Sequence, residues 1–310
     1  MKIAALVLGA ALLLVPLIPS PYYVNIASQI LIAAVFALSL NLLVGYAGLT
    51  SLGHAAYLGV AAYAVAWLTT LGGLGHLAAA LVALAVTTAT AACFGVLALR
   101  GTGLAFLMIT LALGQILWGV AYRWVSLTGG DNGITGLTRP RPFGFDLTSP
   151  GAFYYFTLAI AAPTVAAIAL YVSSPLGAAV QGTRDQPRRL SALGHNVWIV
   201  RWLTFVFAGT GAGVAGILFV YYNQFIGPQT LNLTNSAEVL LMVISGGAGT
   251  LLGPIIGAAT VVILKNVVSA YITRWVMLLG AVFVLIVVFM PEGLGPGLHR
   301  LWHTRSRSAS

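Results

Sequence analysis

LGAAVQGTRDQPRRLSALGHNVWIVRW, residues 176–202, carries Arg184, Asp185, Arg188, Arg189 and Arg201. These are four of the fourteen basic and one of the five acidic residues in the chain. Long apolar segments flank the stretch on both sides. A basic connection between apolar segments belongs on the cytoplasmic side of a membrane, because Lys and Arg near span ends resist translocation. The stretch also has helical potential. Arg184, Arg188 and Ala192 fall on one helical face, and Gly194 followed by Asn196 sits where that helix would stop. It reads either as a solvated basic loop that only sets topology, or as a short amphipathic helix that docks a cytoplasmic partner.

Composition fixes the class. Hydrophobic residues are 60% of the 310 and charged residues 6%, whereas soluble domains run roughly 45–50% and about 25%. The length suits about ten spans of ~20 residues, so the expected fold is an all-α polytopic membrane protein with one transmembrane domain over 1–310. The net charge of +9 is then mostly topogenic, with some attraction to membrane lipid headgroups. It is not a nucleic-acid signal. Cys93 is the only cysteine, so no intrachain disulfide can form.

Outward from the basic stretch, the apolar runs predict spans near residues 3–18, 26–44, 77–99, 104–122, 153–172 and 203–221, with another ending at Thr70. The 203–221 run carries Gly209, Gly211, Gly213 and Gly216, small residues that let helices approach closely. A shorter segment covers 237–245, followed by one ending near 270 and a last one over 275–290. Two connections are glycine-interrupted: GYAGLTSLGHAAYLG at 45–59 and GGAGTLLGPIIG at 246–257. Residues 126–150 form the longest other polar connection, with TGGDNGITG at 128–136 favouring tight turns. Residues 291–310 form a short basic tail. With 176–202 inside, nine basic residues lie inside, four lie outside and Lys265 falls within a span. The opposite orientation would violate the positive-inside bias. Both termini are therefore expected in the cytoplasm.

The two glycine segments echo each other. Gly45, Gly48, Gly53 and Gly59 correspond to Gly246, Gly249, Gly253 and Gly257, with small shifts in spacing. Interrupted segments in corresponding places of two halves suggest an internal repeat around a central path; chance matching of common small residues is the alternative.

Little here can catalyse. Asp131, Asp146, Asp185, Glu238 and Glu292 are far apart in sequence, no metal-binding pattern stands out, and no P-loop is present. No cofactor is expected. The polar residues at membrane depth are Asn41, Thr50, Ser51 and His54 around the first glycine segment, Gln115 in mid-span, and Glu238. An ionisable residue inside a span is a functional candidate. The alternatives are a helix cap for Glu238 and a hydrogen-bonded packing role for His54. Lys265 is expected to snorkel to the outer interface.

Five blocks, in order, resemble the permease subunits of branched-chain amino-acid ABC importers, in particular the longer M-type partner of the Liv system. They are Asn41-Leu-Leu-x-Gly45-Tyr-Ala-Gly48-x-x-Ser51-Leu-Gly53-His54-Ala55; Leu99-Arg100-Gly101 with Ile109-Thr110-Leu111-Ala112; Thr128-Gly129-Gly130-x-Asn132-Gly133-Ile134; Arg184-Asp185 through Ala192-Leu193-Gly194; and Glu238 through Met242, Gly246-Gly247-x-Gly249-Thr250, Gly253-Pro254 and Gly257-Ala258. The resemblance covers roughly residues 41–260. It implies a multi-pass subunit of a bacterial inner membrane that imports leucine, isoleucine or valine; relatives carry urea, short amides or aromatic acids. It implies a second homologous permease subunit, two cytoplasmic ATPase subunits that use the ATP, and an external substrate-binding protein. The path would then run past Asn41, Gly45, Gly48, Thr50, Ser51, His54, Glu238, Gly246 and Gly249. Gly182, Arg184, Asp185, Arg188 and Gly194 would couple to the ATPase, and Thr128, Gly129, Gly130 and Asn132 would form an external loop. The chain departs from the family pattern at Pro187 and Ser191, where acidic residues are usual. An ion-coupled secondary transporter is the alternative from another class, suggested by the repeat and the broken helices. An intramembrane enzyme lacks any recognisable nucleophile–base or metal set.

Overall fold

The computed structural model describes residues 13–17, 20–141 and 146–271, with positions 277, 280 and 284 beyond. Most of the expected first and last spans and all of the tail over 291–310 lie outside the described residues. Among those described the fold is helical, apart from one antiparallel bridge between Ile134 and Ile226. Ten helices frame it: α1 (Pro21–Asn41), α2 (His54–Thr70), α3 (His76–Ala98), α4 (Leu104–Arg123), α5 (Pro150–Ser173), α6 (Pro175–Asp185), α7 (Pro187–Ala192), α8 (Val197–Asn223), α9 (Leu233–Gly246) and α10 (Leu252–Tyr271). Shorter helical turns join them.

Among the described residues, five helical stretches are long and apolar enough to cross a membrane: α1 with the π turn that extends it to Tyr46, then α3, α4, α5 and α8. Two shorter apolar helices, α9 and α10, accompany them, so the described residues do not establish the expected count of about ten spans. Of these two, α9 has 14 residues and reaches about 21 Å at 1.5 Å per residue, short of a ~30 Å hydrocarbon core.

Local chemistry explains the boundaries. Ser149 and Ser174 each accept a hydrogen bond from the backbone N–H three residues on, and each precedes a proline at the first helical position. Both are N-terminus signals, since that proline gives up an N–H that would be unpaired anyway. The basic stretch holds two helices instead of the one expected. Pro187 blocks continuation and forces Gln186 to φ −149°, ψ 76°, so α6 ends at Asp185 and α7 restarts at Pro187. Arg184 and Arg188 therefore do not share a continuous face. Gly194, at φ +86°, follows α7. Asn196 starts the next helix instead of stopping the last, accepting from the N–H groups of Trp198 and Ile199 at 3.1 and 3.2 Å. That cap begins α8 six residues before the expected 203 and puts Arg201 inside it.

α1 and α8 form the centre. Their most apolar windows are 72% and 67% buried, against 22%, 28% and 17% for α3, α4 and α5, which present their flanks outward. The glycines of α8 make its central position possible. A methyl group at Gly209, Gly211, Gly213 or Gly216 would meet Ala91 of α3, Ser39 of α1, Thr87 of α3 or the Leu58 carbonyl of α2, at 2.4, 2.9, 3.0 and 2.1 Å. Helices come this close only across small residues.

Candidate functional site

The two glycine segments meet. α1 passes through its π turn and ends in an irregular stretch from Ala47 to Gly53 before α2 begins at His54. α9 ends at Gly246, and α10 restarts at Leu252. Asn41 joins the two breaks. Its Nδ2 donates to the Thr250 carbonyl at 2.8 Å, and its Oδ1 accepts from the Gly249 N–H at 2.9 Å. Both functions of one buried amide are thus used on the second break. Gly45 lies inside this contact, where a Cβ would stand 2.2 Å from both Asn41 Oδ1 and the Gly249 nitrogen. Gly48 turns the first break with φ +68°, a conformation that carries a steric cost for residues with a side chain.

Arg184 closes the cluster from α6. Its Nη1 donates to the Gly45 carbonyl, and its Cγ lies 2.6 Å from where a Gly48 Cβ would be. A cation here also suits the carbonyl-rich C-terminal end of α1. Asp185 accepts from Arg184 Nε at 2.8 Å, an ion pair open to solvent. Arg201 donates to the Thr183 carbonyl at 2.6 Å and so ties α6 to α8. Gly182 packs against Leu190, whereas Arg188, Arg189, Leu193 and Gly194 are exposed.

The remaining polar residues of the first break serve packing contacts. His54 is fully buried, 2.8 Å from Ser39 Oγ through Nε2 and stacked on Phe36. Ser51 accepts from the Gly53 N–H, Thr110 from the Leu52 N–H, and Ser236 from the Ala55 N–H. Thr50 is half-buried beside them. In the 128–136 loop, Thr128 donates to the Ala121 carbonyl at 2.6 Å, and Gly129 and Gly130 both take positive φ. Gly133 abuts the Ile226 carbonyl, and Asp131 accepts from Gln229 at 3.3 Å. Asn132 is exposed.

Glu238 lies in the second turn of α9, past the helix start, and lines a cavity of about 360 Å³ bounded by α1, α2, α8, α9 and α10. Lys265 of α10 reaches this carboxylate. Its Nζ lies 3.1 and 3.2 Å from the two Glu238 oxygens, because α9 and α10 fold back on each other across the Gly246–Gly253 contact. Beside this pair, Asn266 donates to Gln29 Oε1, and Gln29 donates to Tyr222 Oη, both at 2.9 Å. Sequence reasoning missed Gln29, Tyr222 and Asn266. Gln115 is not among the lining residues.

The family of the branched-chain amino acid transport system / permease component matches residues 22–288. The chain is 29% identical to the high-affinity branched-chain amino acid transport system permease protein LivM of Salmonella typhimurium, over 91% of this chain and 72% of that protein. It is 28% identical to the LivM protein of Escherichia coli, over 95% and 74%. No solved structure matches the chain. A match of that extent, together with the paired helix breaks and the apolar helices, means that the chain belongs to the branched-chain amino acid transport system permease family.

Proposed function

We propose that this chain is a transmembrane permease subunit of an ABC importer carrying leucine, isoleucine and valine across a bacterial inner membrane. A second permease subunit, two cytoplasmic ATPase subunits and an external binding protein complete it, and ATP is hydrolysed on the ATPase subunits alone. The observation that carries this reading is the clasp of Asn41 on Gly249 and Thr250. It joins two broken helices within the membrane, the arrangement that lines transport paths. α1 to α5 and α8 to α10, with the first and last apolar runs of the sequence, make ten spans in this reading and put both termini inside. The positive φ at both Gly48 and Gly249, corresponding positions of the two glycine segments, supports a duplicated architecture.

The α6–α7 unit is the coupling element in this reading. Its exposed Arg188, Arg189 and Leu193 offer a surface to an ATPase, while Arg184 connects the unit inward to the first break. The ion-coupled alternative is less well supported, since the carboxylate at membrane depth, Glu238, already has a cationic partner. Purified with its partners and reconstituted with ATP inside proteoliposomes, the complex should accumulate radiolabelled leucine only when the binding protein is supplied on the opposite face. Urea, short amides and aromatic acids in excess should not compete. Competition by one of them would reassign the substrate, and uptake without ATP would overturn the importer reading.

A further inference from the structure

The cavity at Glu238 combines features that a path for small molecules does not require in general. Glu238 and Lys265 hold opposite charges 3.1 Å apart on two different helices. Gln29 and Tyr222 add a hydrogen-bonded polar edge, while Ile32, Phe36, Leu58, Val239, Met242 and Val262 supply an apolar wall. Its size is that of a small-molecule site, mostly apolar with a few convergent polar groups. It is placed at the Asn223 end of α8, whereas α6 and α7 adjoin the Val197 end.

We propose that this cavity binds the zwitterion of an aliphatic amino acid in transit, its ammonium on Glu238, its carboxylate on Lys265 and its side chain against the apolar wall. The inference rests on the importer reading above and adds the residues that meet the substrate. Charge balance is the physical argument. An ammonium or a carboxylate taken alone into low dielectric is costly. A zwitterion inserted across an existing ion pair leaves each charge facing an opposite one before, during and after passage. The net charge of the site stays at zero throughout. An amine or a carboxylic acid of the same shape would leave one protein charge without its partner, and the cavity should reject both.

The complete importer in proteoliposomes tests this, with leucine uptake and binding-protein-stimulated ATP hydrolysis as separate readouts. Glu238→Gln and Lys265→Gln should each lower uptake about tenfold or more, with hydrolysis within about twofold of wild type. The double variant Glu238→Gln/Lys265→Met guards against a folding defect, because replacing a structural ion pair by neutral groups is often neutral or stabilising. It should assemble with its partners and remain unable to transport; wild-type uptake by it would overturn the proposal. Wild-type complex in nanodiscs gives a readout independent of folding. Carbodiimide modification of Glu238, followed by mass spectrometry, should be slowed by excess L-leucine but not by 4-methylpentanoate or 3-methylbutylamine. Equal protection by all three, or by none, would overturn it. A wild-type importer that carries no aliphatic amino acid would defeat the functional reading, while the protection experiment would still judge the cavity.

Discussion

Asn41 ties the two helix breaks together through a single side chain. Its amide makes one donor and one acceptor bond to the second break, and Gly45 leaves room for both. Asn41→Leu removes both bonds and strands the Gly249 N–H. It should lower stability by about 1–2 kcal/mol, seen as an earlier thermal transition by tryptophan fluorescence of the detergent-solubilised complex. Asn41→Asp should be damaging too, since a carboxylate cannot donate to the Thr250 carbonyl. A variant Asn41→Leu as heat-resistant as wild type would show that the clasp contributes nothing. The sequence indicated Asn41 as a polar residue at membrane depth. It could not indicate the partner, because Gly249 is 208 residues away and helical periodicity names a face without naming the helix that covers it. The same limit hid the Glu238–Lys265 pair, whose members lie on separate helices. Reading the span of Lys265 alone names no partner for its ammonium.

Among the elements, α8 was the most legible and α6–α7 the least. The alternating glycines of α8 announced close contacts, and the structure places Ala91, Ser39, Thr87 and Leu58 against them. Gly216→Ala puts a methyl group 2.1 Å from the Leu58 carbonyl, and backbone cannot yield as a side chain can. Overpacking of this kind costs about 1–3 kcal/mol and should reduce the amount of subunit recovered from membranes, whereas Gly119→Ala in α4, which meets nothing within 4 Å, should matter far less. In the basic stretch, helical spacing put Arg184 and Arg188 on one face. The proline between them mattered more, because a missing N–H and a restricted preceding residue override a periodic pattern. Pro187, one of the two departures from the family pattern, opens a second helix.

For the whole molecule, the α6–α7 unit is attached to the first break through Arg184 and to α8 through Arg201. In the importer reading, displacement of this unit by an ATPase would act on both at once. Arg184→Ala should therefore leave the subunit assembled but raise the ATP hydrolysed per leucine imported. Arg188→Ala combined with Arg189→Ala should instead reduce ATPase retention during purification. Equal coupling ratios in wild type and Arg184→Ala would remove Arg184 from the transmission. The clasp described above also has a consequence for the timing of synthesis. A ribosome adds about 5–20 residues per second, so the Asn41 side chain emerges on the order of ten to forty seconds before Gly249 exists. Throughout that interval the nascent chain carries an amide lacking its eventual partners, which lie in the late connection between α9 and α10. A truncated or stalled product would keep that amide exposed, a chemical mark of an unfinished subunit that membrane quality-control proteases could read.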